Sequence, residues 1–168
     1  MTTPYRVYIA AASVPTEIQR VEHWAANLKR IGVEVVSTWP QNVRDVGVAN
    51  PHDGARDQRR EWALTCANQV ALSNTLWLMC PPDGVTTRGA WFELGIAYAC
   101  STDIICSGDT KQTIFTSLAD EECNADYFAF GVIKVWAEEY AARQQRKADK
   151  TKRTRKADKT KRTRTVRK

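Results

Sequence analysis

The stretch Val7-Tyr8-Ile9-Ala10-Ala11-Ala12 carries no alternation of apolar and polar residues. A strand with one wet face alternates with a period of two, so an unbroken apolar run of this length predicts a strand covered on both faces, as in a parallel sheet. Such a strand needs helices around it. They follow at once: Pro15 and Thr16 open a segment whose apolar positions Ile18, Val21, Ala25 and Leu28 recur at helical spacing, and Gly32 stands where a C-terminal cap belongs.

The same reading extends along the chain. Residues 33–36 predict a second short strand, followed by a polar stretch over 37–54 with Pro40, Gly47, Pro51 and Gly54, too long for a simple connector and therefore a candidate binding loop. Residues 55–73 predict a helix with Trp62, Cys66 and Val70 in register, 75–80 a third strand, 89–100 a helix, 103–106 a fourth strand and 113–118 a short helix or turn. Tyr127-Phe128-Ala129-Phe130 predicts the fifth strand, and Val132, Val135, Trp136 and Tyr140 mark a last helix. Alternating strands and helices imply an α/β fold: a doubly wound, five-stranded parallel sheet with helices on both faces. Ligands then bind at the carboxyl ends of the strands.

Charge divides the chain. The 168 residues hold 25 Lys+Arg and 19 Asp+Glu, a net +6, but residues 143–168 alone hold fourteen basic and two acidic residues, a net +12. Residues 1–142, with eleven basic and seventeen acidic residues, stand at −6. That body has the size of one domain able to close a core without staples. The expected organisation is one α/β domain over 1–142 and a basic tail over 143–168. No apolar run reaches the length of a transmembrane helix, and the start of the chain lacks the pattern of a signal peptide.

Five cysteines, an odd number without C-x-x-C spacing, predict reduced thiols in a cytoplasmic protein. His23 and His52 lie apart from them in sequence, so no metal site is expected. Nothing in the sequence calls for a cofactor.

One carboxylate stands out. Between Gly89 and Thr102 the sequence GAWFELGIAYACST contains no charged residue except Glu93. An ionised carboxylate in an apolar helix is costly unless it is paired or used. Glu93 either occupies the wet face of its helix or the favourable end of the helix dipole, or it faces the cleft at the end of the third strand.

The N-terminal strand Val7-Tyr8-Ile9-Ala10 with its small-residue loop, the Trp77-Leu78 strand and, above all, Gly89-Ala90-Trp91-Phe92-Glu93-Leu94-Gly95-Ile96-Ala97-Tyr98-Ala99 resemble the nucleoside 2-deoxyribosyltransferase family, which includes related nucleoside 5′-monophosphate N-glycosidases. The similarity covers roughly residues 5–140 and implies a flavodoxin-like sheet. It also implies that Glu93 is the nucleophile at the anomeric carbon of a nucleoside, that Tyr8 holds it, and that the protein forms homo-oligomers. The chemistry is coherent on its own terms: cleavage of a C1′–N bond passes through an oxocarbenium-like state that one carboxylate can trap covalently.

The sequence departs from the family at two places. Six residues before the glutamate, where relatives carry an aspartate for sugar hydroxyls or a serine for phosphate, stands Thr87, followed by Arg88. A hydroxyl, a guanidinium and the free N–H groups of a helix starting at Gly89 make an anion site, although Thr87 capping the helix and Arg88 facing solvent fit equally well. Ser13, in the loop after the first strand, joins this set of candidate substrate contacts. Trp39 serves either as a base-stacking platform or as a core residue. The family's usual leaving-group acid is replaced by Cys66, and Asn74 stands where an acid follows it. Asp45, His52, Asp53 and Asp57 are the alternatives for a proton donor.

Residues 146–154 read RKADKTKRT, and residues 155–163 repeat them without a change. Nine residues match neither a heptad nor an eleven-residue supercoil period, so the tail is expected to be disordered or an extension of the last helix. It is either a solubilising extension or a weak, nonspecific contact for nucleic acid. Three functions therefore stand side by side: cleavage or transfer at a nucleoside N-glycosidic bond, non-catalytic capture of a nucleotide or nucleobase derivative, and DNA association through the tail. No membrane partner is expected.

Overall fold

The apolar run forms β1 (Arg6–Ala10), and the computed structural model, which describes residues 3–45 and 54–165, seats it between two parallel neighbours. The remaining strands are β2 (Glu34–Val35), β3 (Thr75–Met79), β4 (Asp103–Ser107) and β5 (Glu121–Cys123), all parallel in the order β2-β1-β3-β4-β5. This is the flavodoxin-like arrangement the sequence predicts. The helices are α1 (Pro15–Arg30), α2 (Trp39–Asp45), α3 (Arg56–Ala71), α4 (Arg88–Ala99) and α5 (Asp126–Thr165), with two short 3-10 turns at Thr110–Gln112 and Ile114–Leu118.

Register decides which way each side chain of β1 points. Tyr8 pairs with Leu76 and Ile9 with Trp77, and successive side chains of a strand face opposite sides. Trp77 meets Trp24 of α1, with ring centroids 5.7 Å apart, while Tyr8 reaches Glu93 of α4. Helix α1 contacts α5, and α3 contacts α4, which gives the sheet its two coats. Val7, Tyr8, Ile9, Ala10 and Ala12 have no exposed surface. Burying side chains the size of Val or Ile contributes about 1.5–3 kcal/mol each.

Two expectations are corrected. Tyr127-Phe128-Ala129-Phe130 is not the fifth strand but the first turn of α5, and β5 is the polar Glu121–Cys123. Ala129 and Ile133, four residues apart, are fully buried, whereas Tyr127 and Phe128 are exposed. The period is helical, and a short edge strand with one neighbour can carry charged residues that a central strand cannot. The polar stretch over 37–54 is not all loop, because Trp39–Asp45 is a helix whose early Pro40 sits where a missing N–H costs nothing.

Helix α5 is tied to the sheet by a polar latch. Asp126 accepts two hydrogen bonds of 2.6 Å from Arg20, one of 3.1 Å from the Trp24 indole and one of 2.6 Å from the Ser107 hydroxyl. Arg20 also reaches Glu17 at 2.7 Å and the Cys80 carbonyl at 3.0 Å, and the Trp77 indole donates to Ser107 at 2.9 Å. Gly108, at φ +96°, makes the turn beside this latch, where a Cβ would lie 3.3 Å from the Cys80 carbonyl oxygen. Burial alone would raise the Asp126 carboxyl, but the Arg20, Ser107 and Trp24 donors outweigh it and hold the carboxyl below its usual range.

A carboxyl held low when folded adds stability above its unfolded pKa, and that stability is lost as the pH falls through the folded value. Asp126→Asn is therefore expected to lose about 2–4 kcal/mol at pH 7 in urea unfolding. The gap to the unmodified protein should narrow below about pH 4. A gap independent of pH would show that Asp126 acts by shape rather than by charge.

Candidate active site

Strand order reverses between β1 and β3, so the chain leaving each of these strands turns away from the other and opens a crevice at their carboxyl ends. A cleft of about 570 Å³ lies there. Ala11 and Ser13 after β1 form one wall, the Thr86–Ala90 segment at the start of α4 forms another, and α2 and α3 close the third. Cysteines 66, 80, 100, 106 and 123 are all free.

Glu93 lies in this cleft, one turn into α4, and its Oε1 accepts a 2.6 Å hydrogen bond from the Tyr8 hydroxyl. Glu93 keeps a partly exposed edge, whereas Tyr8 has none. Burial pushes the Glu93 carboxyl up to about 7, against the opposing pull of hydrogen bonds from Tyr8 and Cys66. Burial, and then the charge of Glu93, hold the Tyr8 phenol well above its usual value, so it remains a donor. The Cys66 thiol is raised chiefly by burial, with the neighbouring Tyr8 hydroxyl opposing and the Glu93 charge adding to it. A neutral phenol and a neutral thiol thus flank a carboxylate poised near neutrality. Glu93 neither caps α4 nor faces open solvent.

The structure brings Ser13, Trp39, Thr87, Arg88 and Gly89 into the same lining as Glu93. Thr87 is the N-cap residue of α4 but makes no side-chain cap bond; its buried hydroxyl donates to the Ala11 carbonyl at 3.4 Å. Trp39 is both a core residue and a wall of the cleft. Its indole N–H donates to the Ile9 carbonyl at 2.9 Å, which fixes the ring. It begins α2.

The candidate acids fare differently. Asp57 is exposed in the first turn of α3 and is not part of the lining. His52, Asp53 and the side chain of Asp45 lie outside the described residues. Among the described lining residues Glu93 is the only carboxylate.

Sequence reading missed one wall. Arg59, Trp62, Ala63, Cys66 and Ala67 all line the cleft, and their spacing of i, i+3, i+4, i+7, i+8 is one face of α3. The spacing was the signal that could have found it. Arg59 joins Arg88 as the second guanidinium of the lining, and Phe92, largely exposed, stands at the cleft beside Glu93.

Neither a protein-family model nor a curated protein matches the chain. Among solved structures it is similar to a conserved protein from Enterococcus faecalis V583, at 12% identity and a TM-score of 0.59, over 79% of this chain and 98% of that one. It is also similar to a Clostridium botulinum CMP N-glycosidase, at 16% identity and a TM-score of 0.49, over 78% of this chain and 98% of that one. The likeness to the Enterococcus faecalis protein is one of fold alone, and the chemistry of this chain is read from its own cleft.

Proposed function

We propose that the protein cleaves the N-glycosidic bond of a nucleoside or nucleotide through a covalent intermediate on Glu93. The observation that carries this reading is the 2.6 Å contact between Tyr8 and Glu93 Oε1 on a carboxylate that lines the cleft. Tyr8 holds Oε1, so attack on C1′ is assigned to Oε2. The C1′–N bond breaks with its electron pair going to the base, which takes up a proton as it leaves, and water or a second base then displaces Glu93. A positioned carboxylate of this kind reduces the reorganisation needed as charge develops on the sugar.

Arg88, Arg59 and Ser13 support a negatively charged group on the ligand, which favours a nucleotide. Trp39 and Trp62 offer flat apolar walls for a base. Proton delivery to the base is assigned to the segment carrying Asp45, His52 and Asp53, which joins the two helices that wall the cleft. The absence of a second carboxylate from the described lining favours one rival, capture of a nucleotide without turnover.

Incubation with a panel of deoxynucleosides and 5′-monophosphates, followed by chromatography of the released base, decides between the two readings. Turnover is expected, with Glu93→Gln lowering kcat by about 10³-fold or more and Tyr8→Phe by about 10- to 100-fold with KM little changed. Tight binding without product, unaltered by Glu93→Gln, would leave only capture.

The raised carboxyl of Glu93 predicts two pH effects of opposite sign. Attack needs the ionised form, so kcat/KM is expected to rise through about pH 7 and level off above it. Folding favours the protonated form, so stability falls as the pH rises from the usual carboxyl value of 4.5 towards 7. Glu93→Gln should therefore be more stable than the unmodified protein at pH 8, by about 1–3 kcal/mol. That advantage should vanish below pH 4.5; parallel profiles of Tm against pH would refute the burial of this charge.

A further inference from the structure

Helix α5 runs antiparallel to the strands and continues far beyond them. It begins at the carboxyl edge of the sheet, where Asp126 meets Ser107, the last residue of β4. At Tyr140 it has reached the amino edge, where the Tyr140 ring stands edge-on to Tyr5, just ahead of β1, at 5.4 Å between centroids. Ala141, Ala142 and Gln145 still border Pro4, Gly32 and Val33 at that edge. Residues 146–165 then extend the same helix for twenty residues, about 30 Å at 1.5 Å per residue. The projecting segment leaves the molecule at the end opposite the cleft.

Its charge is distributed in an unusual way. Residues 146–165 contain eleven basic and two acidic residues. A helix turns by about 100° per residue, so a nine-residue repeat returns half a turn out of phase. The second RKADKTKRT therefore repeats the first half a turn out of phase, and the two copies share no common register. A helix that docks on a protein or lies in a membrane surface keeps one apolar face. Residues 146–165 hold only two apolar residues, Ala148 and Ala157, so the sequence supplies no such face.

We propose that residues 146–165 form a helical arm that lies in the major groove of B-form DNA and contacts the phosphates of both walls without reading sequence. The groove is about 12 Å wide and an α-helix with side chains about 10–12 Å across, so a helix this rich in lysine and arginine fits between the phosphates of both walls. The narrow major groove of an A-form RNA duplex does not admit it. The charge of the arm is complementary to the phosphates. Because it projects from the amino edge of the sheet, the cleft at the carboxyl edge stays open while the arm is bound.

The test uses the full chain and a fluorescein-labelled 20-base-pair DNA duplex, with anisotropy read across a salt series. Expected is binding whose log Kd rises with log salt at a slope of about 4 or more, as for four to five neutralised phosphates. Replacing the lysines and arginines of 146–165 by glutamine, which keeps helix propensity, should abolish it. Ala157→Pro leaves the charge intact and breaks the helix; a loss of about tenfold in affinity is expected, and an RNA duplex of equal length should bind at least tenfold more weakly than DNA. The proposal is overturned if the glutamine variant still binds, if Ala157→Pro binds as tightly as the unmodified chain, or if RNA equals DNA. It is also overturned if anionic phosphatidylserine vesicles compete DNA away, or if the arm drives salt-sensitive self-association that excludes DNA. Failure here leaves the reaction at Glu93 untouched, since base release is measured without DNA.

Discussion

A strand without a polar face persists in water only when protein covers both of its sides, and β1 imposes that condition on the whole domain. Here its neighbours are parallel strands, the connections cross over as helices, and those helices split between the two faces. Trp77 and Trp24 fill one side; Tyr8, Leu94 and Ala97 fill the other. The cleft follows from the same condition, because a parallel sheet with the order 2-1-3-4-5 leaves a gap where its connections diverge.

Tyr8 is where the structural and the chemical demands meet. Its ring is core, yet its hydroxyl must find an acceptor when buried, and the acceptor is Glu93. The carboxylate is in turn held in surroundings that disfavour its charge. Each polar group makes the other tolerable, and neither would be stable there alone. The latch around Asp126 solves the same problem on the opposite face by the opposite means. There a guanidinium lies against the carboxylate and keeps it ionised, so it serves cohesion rather than chemistry.

The legible parts of the fold were those with a strong period. β1, α1, β3 and α4 all lie where apolar spacing put them. The fifth strand was misread because four residues with three aromatics look like a strand until their partners are known. Ala129 and Ile133 bury themselves four residues apart, and only the completed sheet shows which side of that segment is inside. β5 was invisible for the converse reason: Glu121 and Glu122 have no strand-like apolar pattern, and edge position makes them acceptable. In the site, Glu93 was conspicuous as a lone charge in an apolar helix, whereas Trp62 carried only the apolar register of its helix and Arg59 had no signal of its own.

The sequence alone determined the class of the fold, the isolation of one carboxylate and the separation of an acidic body from a basic tail. These are properties of composition and local spacing, which survive without knowledge of what touches what. Tertiary structure decided the rest. It brought Tyr8 across eighty-five positions to Glu93, turned one face of α3 into a wall of the cleft, and carried α5 past the sheet to the far end of the molecule. Contacts of that range depend on strand register and crossover, and no local pattern encodes them.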